Sequence, residues 1–150
     1  GQFRGSPGSY VRFVAHTQPG AMSLLMTGNS DGQRSAPAGV AGGGSGPCAE
    51  MEIVATDGRR RVLRTFETKP IFPGEVCETR NAGGGGWGDP LKREPQRVSA
   101  DVQSGFVSPA RARDVYGVVL DAAGLSVDAA ATQRQRDALR SLRAAAGAAN

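Results

Sequence analysis

Asn81-Ala82-Gly83-Gly84-Gly85-Gly86-Trp87-Gly88-Asp89-Pro90-Leu91 divides the chain into two unlike halves: strands and glycine loops precede it, and helices follow it. Four successive glycines carry no Cβ, so they admit left-handed conformations and allow another backbone or a ligand to come close. Trp87, the only tryptophan in the chain, supplies a large apolar anchor. Gly88-Asp89-Pro90 is turn chemistry, because proline fixes its own φ and pushes the residue before it out of the helical region.

Two readings of this loop stay open on sequence grounds. A glycine run serves as a connector on linker composition alone. Alternatively Gly83, Gly84, Gly85 and Gly86 present backbone amides to a substrate or phosphate, since Gly83-x-Gly85-x-x-Gly88 formally matches the dinucleotide fingerprint. That fingerprint needs a helix opening directly on the loop, whereas Pro90 intervenes and the first helix is expected near Pro95. A Walker loop is excluded, as no Gly-Lys-Ser/Thr follows a glycine run. Asp89 is read as closing the turn, with a general-base role as the competing assignment.

Working outward toward the amino end, Met51 to Phe66 carries the clearest local signal. Two β-rich runs flank Asp57-Gly58, which predicts a hairpin with a type I′ turn. Arg59, Arg60 and Arg61 fall at its tip, where solvated charge discourages edge pairing. Tyr10–Ala15 reads as a strand closed by a lone His16, and Met22–Met26 as a short buried strand. Ile71–Val76 adds a turn and another strand. Between them Thr27–Pro47 is about twenty irregular residues, a length that marks a functional loop or one packed against a partner.

Toward the carboxyl end, Pro95 opens a short helix stopped by Gly105, and Ser108-Pro109 caps a second that runs to about Val115. Tyr116–Leu120 is strand-like, Gly124 turns the chain, and Leu125-Ser126-Val127 leads to the cap Asp128. A last helix from Ala129 to about Ala146 aligns Ala131, Gln135, Ala138, Leu139, Leu142 and Ala145 on one thin apolar stripe, which calls for a larger body or partner to dock on. The fold class expected is α+β: residues 1–80 mainly β, 81–94 the glycine loop and 95–150 mainly α.

Composition narrows the function. The 150 residues suffice for one domain with a real core, and 22 glycines and 9 prolines signal a loop-rich architecture. No stretch approaches the roughly 18 apolar residues of a membrane span. No signal peptide opens the chain, which reads as cytoplasmic and soluble. The absence of an initial methionine suggests a cut amino end. The +4 charge rests on sixteen arginines and two lysines. They are dispersed, without the interleaved aromatics of a nucleic-acid platform, so no nucleic-acid partner is expected. Cys48 and Cys77 stand too far apart for a CxxC site and are expected to be buried free thiols. No HxxH, paired histidines or Ser-His arrangement offers a catalytic residue or a metal site.

The segment GGGGWGDPLKREPQRVSADVQSGFVSPARARDVYGVVLDAAGLSVDAAATQRQR resembles the carboxyl end of the hydantoinase B/oxoprolinase family, here of the N-methylhydantoinase B type. The shared features, in order, are Gly83–Pro90, Pro95–Val98, Val107-Ser108, Ala112–Val118 and Val127–Thr132. Arg4-Gly5-Ser6-Pro7-Gly8 is similar to the family's Arg-Gly-Gly-x-Gly loop, with Ser6 in place of the second glycine. Ser30–Arg34 with Pro37–Gly44 resembles its Asp-Arg, proline and Gly-Gly region, without the usual aromatic.

The resemblance implies one partner of a two-part, ATP-dependent machine that opens cyclic amides such as hydantoin or 5-oxoproline. Phosphorylating the oxygen of a resonance-stabilised lactam creates a leaving group and an electrophilic carbon for water to attack. It assigns ATP to a hydantoinase A-type partner and the hydrolytic half to the B-type chain, with ATP and a divalent metal in the complete enzyme, neither held by this chain alone. It places the metal or base upstream of Gly1, with the remainder of the B-type polypeptide. The rival implication is a noncatalytic assembly component of a related hydrolase or ketone carboxylase.

Overall fold

The computed structural model describes residues 1–123 and 126–148; the expected turn at Gly124 and the residue Leu125 lie outside them. The chain is an α+β fold with two compact units: one holds Gly5–Gly39 and Ser45–Gly86, the other Gly1–Arg4, Val40–Gly44 and Trp87–Asn150. The first unit carries all six strands: β1 (Tyr10–Val14), β2 (Leu24–Thr27), β3 (Glu50–Val54), β4 (Arg60–Val62), β5 (Thr68–Ile71) and β6 (Val76–Arg80). The second carries a 3-10 helix (Pro90–Lys92), α1 (Pro95–Gln103), α2 (Pro109–Asp114) and α3 (Ala129–Ala148).

In the strand unit, the order β1-β6-β3-β4 makes an antiparallel sheet, and β2 pairs with β5 separately. The register sets Phe13, Cys77, Ile53 and Arg61 abreast. Because side chains alternate across a sheet, this row and its next-but-one neighbours share a face. Ile53 and Cys77 are fully buried there, clustered with Ala15 and Ile71 and flanked by Met26 and Met51. The opposite face is charged. Its rows Tyr10–Arg80–Glu50 and Arg12–Glu78–Glu52 carry ion pairs from Arg12 to Glu78 (3.5 Å), from Arg60 to Glu52 (2.7 Å) and from Arg80 to Glu50 (3.3 Å). The Tyr10 hydroxyl donates to Glu78, and that bond, with Arg60 and Arg12, holds the Glu78 carboxyl below its ordinary value. The stability this adds is present above the carboxyl's unfolded pKa and lost as pH falls through the depressed folded one.

The hairpin forms where expected, but its turn is different. Ala55 N–H donates to Arg59 O and Gly58 N–H to Ala55 O, and Gly58 (φ 85°) is the turn's positive-φ residue. A type I′ turn needs positive φ at both central positions, so this is a turn followed by a left-handed glycine. Arg59, Arg60 and Arg61 are held by Asp57, by Glu52 and Glu78, and by Glu75 respectively. β2 is not a buried strand, for Leu24 and Leu25 are 59% and 76% exposed. In a two-stranded ribbon only Met26 turns toward the cluster. Of Thr27–Pro47, Thr27 ends β2 and the rest stays irregular apart from one bridge at Val40. His16 is exposed.

In the helical unit, Pro95 is the first helical residue and Gly105 (φ 75°) ends α1. Gly105 N–H bonds Val102 O and Phe106 N–H bonds Asp101 O, the two bonds of a Schellman motif. Ser108 caps α2 through Arg111 N–H, and the Asp128 carboxylate accepts from Ala131 N–H at the start of α3. Tyr116–Leu120 is not a strand. It folds back over α2, with Val118 N–H on Ala112 O, and Tyr116 and Val118 join Val98, Val107 and Ala112 in the core; a single bridge links Leu120 to Val127. On α3, Ala131, Thr132, Gln135, Arg136 and Leu139 face inward, whereas Ala138, Leu142 and Ala145 are exposed. The expected stripe therefore stops halfway along the helix. Among the described residues no helix is long and apolar enough to cross a membrane.

The thiols differ as well: Cys77 is buried, but Cys48 is exposed, because it lies in a loop rather than on a core-facing strand position. Burial also pushes the Cys77 thiol up. A thiol-reactive dye at pH 8 should modify one cysteine in the native protein and the second only in denaturant. Rapid labelling of both without denaturant would contradict the packing of β6.

Candidate functional site

The glycine run and the Trp87–Pro90 turn belong to different units, and each is held by its own neighbours. In the strand unit Gly83 and Gly86 are buried, Gly85 is half-buried and Gly84 is exposed. Gly84 N–H donates to Ser6 O (2.9 Å) and Asn81 N–H to Ser9 O (2.8 Å), so the run lies along the Gly5–Ser9 loop. An added Cβ on Gly5 would overlap the Gly84 carbonyl, one on Gly8 the Asn81 carbonyl, and one on Gly85 the Ala38 carbonyl. On Gly46 it would stand 2.8 Å from Gly83 O, and on Gly83 2.8 Å from Ser6 O. The space that a Cβ would fill is therefore taken by the chain's own backbone. Phosphate-cradling loops leave that space to the ligand.

In the helical unit Trp87 pairs with Phe3 through two backbone bonds, Phe3 N–H to Trp87 O and the reverse, both 2.9 Å. Gly88 N–H donates to Val40 O, and Gln2 N–H to Gly88 O. Gly88 (φ 76°) holds the left-handed conformation this crossing requires. The Trp87 and Phe3 rings meet at 5.6 Å and 45°, and both remain about half exposed. Pro90 is buried as the first residue of the 3-10 helix.

Asp89 has two partners. Its Oδ1 accepts from Leu91 N–H (2.9 Å), capping the 3-10 helix, and from Arg143 Nη1 (2.9 Å) on α3. Both Asp89 and Arg143 are more than a third exposed, so the pair contributes about 0–1 kcal/mol.

The most buried charge lies nearby and was not picked out by any sequence motif. Arg93 Nη2 pairs with Asp101 Oδ2 at 2.8 Å, with both side chains about nine-tenths buried. Arg93 Nη1 donates to Gln2 O, and Arg93 O accepts from Arg136 Nη2. Arg4 approaches Asp101 at 3.7 Å while stacking over Phe106 at 4.2 Å. The spacing of eight residues from Arg93 to Asp101 is not a helical pair, and Arg93 precedes α1, so only the folded chain brings the two together.

Among the described residues no three of His, Cys, Asp and Glu converge to hold a metal ion. The donor set here does not fit a divalent metal, and His16 lies in the strand unit with no such group around it.

Two glycines from similar runs give a direct test of the backbone packing. Gly85→Ala should cost more than about 2 kcal/mol or prevent folding, because neither backbone can yield cheaply. Gly44→Ala meets nothing within 4 Å and should stay within about 0.5 kcal/mol of the parent. Chemical denaturation of the two variants reads the difference; equal stabilities would contradict the packing.

The comparisons with known proteins agree with one family. The model of the Hydantoinase B/oxoprolinase family matches residues 1–90. The beta chain of the caprolactamase of Pseudomonas jessenii is 34% identical over 148 residues, covering 92% of this chain and 24% of that protein. The B component of a putative D-/L-hydantoinase of Pseudomonas sp. (strain NS671) is 30% identical over 122 residues, covering 80% of this chain and 20% of that one. Among solved structures, nucleotide-free acetone carboxylase superposes with a TM-score of 0.58 at 27% identity, over 72% of this chain and 19% of its own. The chain thus spans about a quarter of the length of the curated relatives it matches (24% and 20%). With its glycine loops matched through Pro90, this chain belongs to the hydantoinase B/oxoprolinase family.

Proposed function

We propose that the chain is a carboxyl-terminal part of the B-type component of an ATP-dependent cyclic amide hydrolase, acting in the cytoplasm with an A-type partner that handles ATP. Relatives that are components of a caprolactamase and of a putative hydantoinase support this reaction class. One observation carries the role given to this chain: the glycine run is closed by its own backbone, and the carboxylate of the turn after it, Asp89, is committed to Leu91 N–H and Arg143. Such a loop shapes a wall and fixes neighbouring segments. It does not donate the acid, base or metal.

In the overall reaction ATP and water are consumed, and the ring-opened amino acid, ADP and phosphate are released. The phosphoryl group passes from ATP to the amide oxygen, water adds to the activated carbon, the ring C–N bond breaks as the nitrogen takes a proton, and a second water releases phosphate from the resulting acyl phosphate. The remainder of the B-type polypeptide and the A-type partner would supply the groups for both steps.

A second reading, an assembly part of a ketone carboxylase, is favoured by the likeness to acetone carboxylase. The substrates separate the two. Residues 1–150 alone should open neither hydantoin nor 5-oxoproline with ATP and magnesium or manganese, whereas the complete B-type chain with its A-type partner should do so and release phosphate. Bicarbonate-dependent consumption of a ketone by the same complex, without ring opening, would move the assignment to carboxylation.

Within the complete enzyme Asp89→Asn keeps an acceptor for Leu91 N–H and loses only the exposed ion pair. It should lower stability by less than about 1 kcal/mol and leave turnover within a few-fold of wild type. Loss of turnover with stability and assembly intact would make Asp89 a general base.

A further inference from the structure

Phe66 stands out in the strand unit. It occupies the third position of a turn closed by Glu67 N–H on Arg64 O, with φ +63°, and its side chain is 85% exposed. That position favours glycine or asparagine, and a bulky residue there is strained. Exposure gives the ring no packing to offset the strain.

The turn is nonetheless firmly built. Thr65 N–H donates to Gln33 Oε1 (2.8 Å), and Gln33 Nε2 donates to Leu63 O (2.9 Å). The Thr65 hydroxyl reaches Ser30 O, the Glu67 carboxylate accepts from Arg64 N–H (3.0 Å), and Phe66 N–H donates to Gly28 O (2.7 Å). Strain held in place by a hydrogen-bonded frame is a feature of sites that present a side chain.

Phe66 lines a groove of about 800 Å³ with Arg34 and Arg64, both exposed. Neither arginine forms an ion pair among the described residues. Of the acids lining the same groove, Glu50 and Glu52 pair with Arg80 and Arg60, which leaves Asp31 facing Arg34 and Arg64; the Glu67 carboxylate beside Arg64 is itself paired with Lys69. The surface is an exposed aromatic flanked by arginines and by half-exposed Val62. Aromatics and arginines are the residues enriched where protein surfaces meet, and they carry most of the binding energy there.

We propose that Phe66, flanked by Arg34 and Arg64, is a docking knob that inserts into an apolar pocket rimmed by carboxylates on a partner protein of the same complex. Charge complementarity selects the acidic rim, and the fixed turn removes the ordering cost of presenting the ring. The proposal rests on the multi-component reading given above and names the surface that reading requires.

The test uses the complete B-type polypeptide and its A-type partner. Phe66→Gly removes the ring and relieves the positive φ, so the thermal midpoint of the B-type chain should hold or rise while the dissociation constant for the partner weakens roughly tenfold or more. Arg34→Glu with Arg64→Glu should weaken binding further and reverse its salt dependence, so that added salt strengthens it, again without loss of thermal stability. Unchanged affinity in Phe66→Gly would overturn the proposal. So would a marked fall in the thermal midpoint of the B-type chain alone, which would mean that the ring packs within its own polypeptide. Wild-type turnover is measured in the same preparations. A wild-type pair that binds but opens no cyclic amide removes the hydrolase reading alone, and an active pair indifferent to Phe66→Gly removes the docking knob alone.

Discussion

The strand unit depends on backbone packed directly against backbone. Where Gly83–Gly86 passes the Gly5–Ser9 loop and Ala38, the carbonyls of one segment fill the positions that side chains of the next would need. Glycine is the only residue that permits such approach, and it loses more conformational freedom on folding than any other. That cost is offset by backbone groups that find partners, Gly84 N–H on Ser6 O and Gly46 N–H on Pro37 O among them. A glycine run of this kind is a packing element.

The helical unit has a different keystone. Asp101 lies near the end of α1, Arg93 just before its start, and Gln2 and Arg4 at the amino end of the chain, and one buried ion pair ties them together. A buried pair of this kind does not guarantee stability against an apolar substitute, but removing one partner leaves an uncompensated buried charge at a cost of about 3–5 kcal/mol. The Schellman motif that ends α1 puts Phe106 beneath the Arg4 guanidinium, so a local helix stop and a distant ion pair reinforce each other.

Much of the fold was legible because it is written in local chemistry. Strand-like runs marked β1 and β3, whereas Ile71–Val76, read as a turn and a strand, is mostly the turn between β5 and β6; Pro95, Ser108-Pro109, Gly105 and Asp128 marked helix ends through side chain to backbone bonds or positive φ. The misreadings share a cause. The hairpin turn, the exposure of β2, the free surface of Cys48 and the backfolded Tyr116–Leu120 depend on which neighbours a segment meets, not on its own pattern. The site was legible only in part. Composition marks Gly85 and Gly44 as equivalent, yet one is crowded by a carbonyl and the other is open. Arg93–Asp101 has no sequence signature, and Phe66 reads by pattern as the end of a strand, whereas its φ is positive. Of the family motifs quoted, Gly83–Pro90 and the looser amino-terminal loops fall within the matched residues 1–90, and those from Pro95 onward lie outside them.

The chain spans about a quarter of the length of its relatives, and its glycine run is closed from within by its own backbone. Amide hydrogen exchange at Gly84 and Gly46 tests that closure most directly. Both N–H groups are bonded to backbone carbonyls, so both should exchange slowly, in step with global unfolding, and adding ATP or a cyclic amide should not change their rates. Fast exchange in the free protein that slows only when nucleotide or substrate is added would mean that the loop is an open cradle, and would contradict the account.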